Sequence, residues 1–144
     1  MRVFLGGTCN ESTWRNRMMQ YLHDEGIEYF NPVVPDWTEA CMAQEIQERQ
    51  TCDFVLYTIT PRMKGVYSIA EAVDDSNKRP QKTIFIILKD DGKYHFSEGQ
   101  LKSLNAVAKM IRLNNGQVFD NLKSAAKWIT EQNISSQNNQ ELTV

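Results

Sequence analysis

The stretch KTIFIIL, Lys82 to Leu88, decides the fold. It is apolar at consecutive positions, without the polar alternation of a half-buried strand. Such a run fits a strand buried on both faces, as in a parallel sheet covered by helices. Just upstream, VYSIAEAVDDSNK has helical spacing, with Val66, Ile69, Ala70 and Val73 expected to face inward. Before that, DFVLYTI (Asp53 to Ile59) reads as another buried strand and TPRMKG as the loop between them.

The same alternation extends to both ends of the chain. MRVFLG is a short strand ended by Gly6 and Gly7, and Trp14, Met18, Tyr21 and Leu22 fall on one face of a helix closed by Gly26. IEYF, Ile27 to Phe30, is a second strand. The proline-pinned NPVVPDW is a loop, since Pro32 and Pro35 supply no ladder donors. Asp36 and Glu39 have capping-box spacing and open a helix whose apolar face is Met42, Ala43 and Ile46. After the polar turn KDDGKYHF, a helix is expected from Glu98 to Leu113, then a short strand QVF, then a helix from Asp120 to Gln132. The strand–helix order implies one α/β domain over residues 1–132, and the polar residues 133–144 read as a flexible tail.

The chain has 144 residues and a net charge of −2, which suits one core and leaves no basic footprint for a nucleic-acid polymer. It has no apolar run of membrane-spanning length and no signal-peptide pattern at its start. Cys9, Cys41 and Cys52 have no metal-site spacing, and only His23 and His95 accompany them. The expectation is a cytoplasmic protein with free thiols and no metal.

In parallel sheets ligands bind beyond the carboxyl ends of the strands. The turn GGTCNEST lies there. Gly6 and Gly7 let backbone approach a ligand, and Thr8, Asn10 and Ser12 offer polar groups before a helix N-terminus, or the turn is simply tight and capped. Trp14 reads as core. Arg15 is free either to meet a phosphate or carboxylate or to pair on the surface. Trp37 is a stacking wall for a nucleobase or a cover for the core edge, and Asp36 a ligand contact or a cap. Glu45, beside the Met42–Ile46 stripe, is a half-buried carboxylate suited to acid/base work, whereas Glu48 points to solvent. Gly65 gives the next loop room, and Tyr67, Ser68 and Glu71 share the polar side of their helix. Asp74 and Asp75, further along, are solvated or pair with Lys78 and Arg79.

The opening FLGGT, the E-x7-D-FVLY block from Glu45 to Tyr57, the helix start GVYSIAEA, the SNK turn and TIFIIL agree in order and spacing with one family. From Arg2 to Leu88 the chain resembles the nucleoside 2-deoxyribosyltransferase superfamily, which includes nucleoside 5′-monophosphate N-glycosidases. It looks most like the small deoxyribosyltransferase-like members, some from phages. The resemblance implies a flavodoxin- or Rossmann-like three-layer sandwich with five parallel strands in the order 2-1-3-4-5. It also implies a nucleoside or nucleotide substrate, no cofactor, and homo-oligomers whose sites a neighbouring subunit completes.

In the family a glutamate at the start of the helix after the third strand attacks C1′ of the sugar, and a second carboxylate assists. Carried over, the assisting position falls on Glu45, Gly65 matches part of the glycine-rich loop, and the nucleophile position falls on or near Ser68. Glu71 lies three residues later. Either the helix begins after Ser68, so that Glu71 reaches the site, or the chain keeps the nucleotide pocket without the nucleophile.

Overall fold

The computed structural model describes residues 1–9 and 11–142. In chain order its elements are β1 (Arg2–Gly7), α1 (Trp14–Asp24), β2 (Glu28–Phe30), α2 (Glu39–Thr51), β3 (Phe54–Ile59) and α3 (Tyr67–Lys78). A 3-10 turn (Pro80–Lys82) leads into β4 (Thr83–Ile87), β5 (Asp90–Asp91), β6 (Tyr94–His95), α4 (Glu98–Leu113), β7 (Gln117–Phe119) and α5 (Leu122–Leu142). The main sheet is parallel, in the order β2-β1-β3-β4-β7. Since β5 and β6 form a separate antiparallel hairpin, β7 is the fifth strand of the sheet, and the expected 2-1-3-4-5 order holds.

The central strands bury both faces, which is why their sequences do not alternate. Val3, Leu5, Leu56, Ile84 and Ile86 pack under α1 and α5, on Trp14, Met18, Leu22, Ala125 and Ile129. Phe4, Val55, Tyr57, Phe85 and Ile87 face the other way, toward Ala72 of α3 and Leu104, Ala108 and Ile111 of α4. Gly26, with φ +68, turns the chain out of α1, and its N–H donates to the His23 carbonyl. Tyr21, expected on the inner face of α1, lies at its exposed edge.

The α2 helix departs most from expectation. Its cap is Thr38, whose Oγ1 accepts from the Cys41 N–H at 3.3 Å; Asp36 stands outside the helix, and the Asp36–Glu39 capping box does not form. Met42, Ala43 and Ile46 face solvent. The inward stripe is instead Glu45, Glu48, Arg49 and Cys52, at positions i, i+3, i+4 and i+7. Glu48 is therefore not solvent-directed: it accepts both Arg2 Nε and Nη2, at 3.0 and 2.9 Å, and the Cys52 thiol at 3.2 Å.

The inner face of α3 also differs from its apolar pattern. Val66 and Ala70 are exposed, Ile69 and Val73 half-buried, and Ala72, Asp75 and Ser76 buried. Asp74 and Asp75 pair with Lys78 and Arg79, one of the two arrangements expected for them, but Asp75 is fully buried. At the C-terminus, α5 runs through Leu142, past the expected end at Gln132, and its last turns are exposed. Among the described residues no helix is long and apolar enough to cross a membrane.

Candidate active site

A cleft of about 380 Å³ opens at the carboxyl ends of β1 and β2. Its floor is Phe4, Gly6 and Gly7, and one wall is the loop Pro32, Val33, Val34 and Trp37. Glu45 enters from α2, and Tyr67, Ser68 and Glu71 from α3, while Cys9 and Arg15 close the end near the first turn. The structure thus gathers Gly6, Gly7, Arg15, Trp37, Glu45, Tyr67, Ser68 and Glu71 around one hollow of ligand size.

Several expected ligand groups have other work. The missing side chain of Gly6 leaves room for the Tyr57 ring, since a Cβ there would stand 2.5 Å from its Cε1. Gly7, with φ +123, lets β3 approach: a Cβ would lie 2.1 Å from the Thr58 carbonyl oxygen. These glycines serve packing within the sheet, although both line the cleft. Thr8 is buried, and its Oγ1 accepts the Thr60 N–H at 3.0 Å. Ser12 donates to Asp91 Oδ2 at 2.5 Å, and Thr60 Oγ1 donates to the same oxygen at 2.7 Å, so Asp91 joins two loops to the hairpin. Neither Thr8 nor Ser12 lines the cleft; Asn10 lies outside the described residues.

Arg15 is likewise turned inward. Its guanidinium donates to the carbonyls of Leu5 (3.0 Å), Thr8 (2.7 Å) and Gly7 (3.1 Å) and stacks on Trp14. Burial lowers its pKa. It is the clamp of the β1–α1 turn, not a surface cation. Asp36 is exposed and does not line the cleft, and the same is true of Gly65.

The polar end of the cleft is built by α2 and α3. Trp37 Nε1 donates to Glu45 Oε2 at 2.9 Å, which ties the rim tryptophan to that carboxylate. The α3 helix begins at Tyr67, so Ser68 lies within its first turn and the later start considered from sequence does not occur. Glu71 nonetheless faces the cleft, because it follows Ser68 by three residues and Tyr67 by four on one helical face. Its side chain is 12% exposed and lies 3.5 Å from Arg49 Nη1. Burial pushes the Glu71 carboxyl up to about 7; Arg49 pulls it down, and Glu45 and Asp75 add to the rise.

Arg49, Asp75 and Tyr57 were not anticipated. The signal available was spacing: Arg49 follows Glu45 by four residues, and Asp75 follows Glu71 by four, on two helices that face one another. Phe4 and Cys9, and Pro32 to Val34, were also missed as lining groups. Among the described residues no group of three or more His, Cys, Asp or Glu is placed to hold a metal ion.

A parallel 2-1-3-4-5 sheet flanked by helices, with a cleft at its strand ends, defines an α/β protein of flavodoxin- or Rossmann-like architecture. The chain belongs to the nucleoside 2-deoxyribosyltransferase-like family, whose model matches residues 1–90, from β1 to the first residue of β5. A comparison with the curated proteins finds no match.

Proposed function

We propose that the protein cleaves the N-glycosidic bond of a nucleoside or nucleotide, with Glu71 as nucleophile and Glu45 as the assisting acid and base. The observation that carries this reading is the meeting of two carboxylates from two helices in one cleft with an aromatic rim. The Glu71 carboxylate attacks C1′, the C1′–N bond breaks, and the bonding pair leaves with the base, which takes a proton from Glu45. The sugar is then held as a glycosyl ester. Water or a second base, deprotonated by Glu45, attacks C1′ and frees Glu71. Trp37 stacks on the base, Val33 and Val34 exclude water, and Tyr67 and Ser68 meet the sugar side. Gly6 and Gly7 line the floor as backbone.

A second reading is favoured by one observation. By resemblance the family's nucleophile position falls on or near Ser68, and Glu71 stands a helical turn further on, engaged with Arg49. On that reading the cleft binds a nucleotide without cleaving it. The remaining expectations fit both readings: free thiols suit a reducing cytoplasm, and exposed Met42, Ile46, Val66 and Tyr67 suit a second copy of the chain.

The deciding experiment incubates the protein with ribo- and deoxynucleosides and their monophosphates and follows free base by chromatography, beside Glu71→Gln and Ser68→Ala. Base release abolished by Glu71→Gln and kept by Ser68→Ala is the expected result. Heat stabilisation by these ligands without base release from any of them would establish the binding reading instead.

A further inference from the structure

Resting on Glu71 as nucleophile, we propose that Arg49 is its positioning residue: clamped by the buried carboxylate of Asp75, it presents one guanidinium nitrogen to Glu71 and fixes that carboxylate in the cleft. Arg49 Nε and Nη2 donate to Asp75 Oδ2 and Oδ1 at 3.1 and 3.2 Å, a two-pronged contact that sets the plane of the guanidinium. Nη2 also reaches Asp74 Oδ2 at 3.3 Å. The remaining nitrogen, Nη1, lies 3.5 Å from Glu71 Oε2.

Asp75 is itself immobilised. It is fully buried, and its oxygens also accept Tyr57 Oη at 2.5 Å and Arg79 Nη1. Four donors fill a carboxylate's acceptor sites, so Asp75 has little freedom to release Arg49. Tyr57 is held in turn, because its ring occupies the space left by Gly6. The support therefore runs from the sheet, through Tyr57 and Asp75, to Arg49 and then to Glu71.

The charges around Glu71 make this contact consequential. Glu45 from α2 and Asp75 on its own helix oppose its ionisation, Tyr57 faces the cluster from β3, and Arg49 is the group that favours the carboxylate. Arg49 and Glu71 are 13% and 12% exposed, so water screens the pair poorly. Arg49 does not line the cleft, so it acts on substrate only through Glu71.

The test is a pH titration of the Glu71 carboxyl by carbon-13 NMR, assigned with Glu71→Gln, in the wild type, Arg49→Met, Arg49→Lys and Asp75→Asn. Base release is measured on the same samples. Removing the charge in Arg49→Met is expected to raise the Glu71 midpoint by about 1–3 pH units. At pH 7, kcat is then expected to fall at least about tenfold with KM held, and to recover in part at higher pH. Arg49→Lys keeps the charge but loses the fork, so the midpoint moves less while kcat still falls. Lys78→Ala, which removes a partner of half-buried Asp74, leaves the midpoint where it is.

If Arg49→Met does not fold, Arg49→Lys and Asp75→Asn carry the test through their loss of kcat. A Glu71 midpoint unchanged in every folded variant overturns the proposal, as does an unchanged kcat. If the wild type releases no base, the catalytic reading fails separately, and the titration still decides whether Arg49 governs Glu71.

Discussion

Replacing Glu71 by glutamine is expected to stabilise the fold at pH 8 and to lose most of that effect at pH 5. The carboxyl has an ordinary value of 4.5 and is pushed up to about 7 in the fold, chiefly by burial, with Glu45 and Asp75 adding to the rise against Arg49. A folded-state value above the unfolded one means that the folded protein holds the proton more tightly. The stability this contributes is fully present below about 4.5 and is lost as the pH rises through about 7. At ~1.4 kcal/mol per pH unit, ionised Glu71 costs the fold about 3 kcal/mol at pH 8 and under about 1 kcal/mol at pH 5. The neutral amide has the shape of the protonated acid and avoids that cost. Urea unfolding of both proteins at the two pH values measures it directly. Equal stability at pH 8, or a gain just as large at pH 5, would refute the argument that the fold holds a costly charged Glu71.

The pH dependence of turnover is expected to follow the same group. As attack requires the carboxylate, the acid limb of kcat/KM rises with pH through about 7 and falls about tenfold per unit well below it, while the proton that Glu45 must give the base adds a falling limb at higher pH; an acid-limb midpoint near 4.5 would remove Glu71 as the titrating nucleophile. Trp37→Ala, which deletes the rim ring and its hydrogen bond to Glu45, is expected to weaken nucleotide binding by about 1–3 kcal/mol, measured by calorimetry on Glu71→Gln. Gly7→Ala is expected to destabilise by about 2–5 kcal/mol in thermal unfolding, because φ is +123 and the added Cβ meets Thr58 oxygen, whereas Gly65→Ala has open space and should be near neutral. If a second copy covers the exposed face of α2, Ile46→Glu shifts the sedimentation profile toward monomer without lowering the melting temperature of the chain itself.

The sheet was legible because burial on both faces leaves continuous apolar runs, as in TIFIIL and FVLYTI, and because one glycine or proline cluster stands between most elements. The α2 helix misled for a physical reason. Helical periodicity was sought among apolar residues, and Met42, Ala43 and Ile46 supplied it, while the inward face is Glu45, Glu48, Arg49 and Cys52. A polar inward face has the same period but no hydropathy signal. Within the cleft, Trp37 followed from chain order, but Glu45 is inward for a different reason from the one its sequence offered, since the apolar stripe it was read beside faces solvent, and Glu71 reaches the cleft without the later helix start considered for it. Thr8, Ser12 and Arg15 looked like ligand groups because sequence does not reveal their partners. Those partners are backbone carbonyls and N–H groups for Thr8 and Arg15, and for Ser12 a carboxylate 79 residues away.

The buried charges beneath the cleft bear on which functional reading is stronger. Asp75, Arg49, Arg79 and Tyr57 form a hydrogen-bonded cluster at the junction of α2, α3 and β3. Apolar residues of similar volume would hold that junction as well or better, since burying ions is costly even when they are paired. What the cluster adds at Glu71 is a fixed positive charge that opposes the upward pull of burial without returning the carboxyl to its ordinary value. A cleft that only bound a sugar could use an ionised Glu71 to accept its hydroxyls, whereas attack at C1′ requires the carboxylate. On energetic grounds, the network that supports Glu71 fits a nucleophile better than a helix residue that happens to face the hollow. Ser68, a turn earlier, lines the same cleft but is no part of this ion-pair network among the described residues.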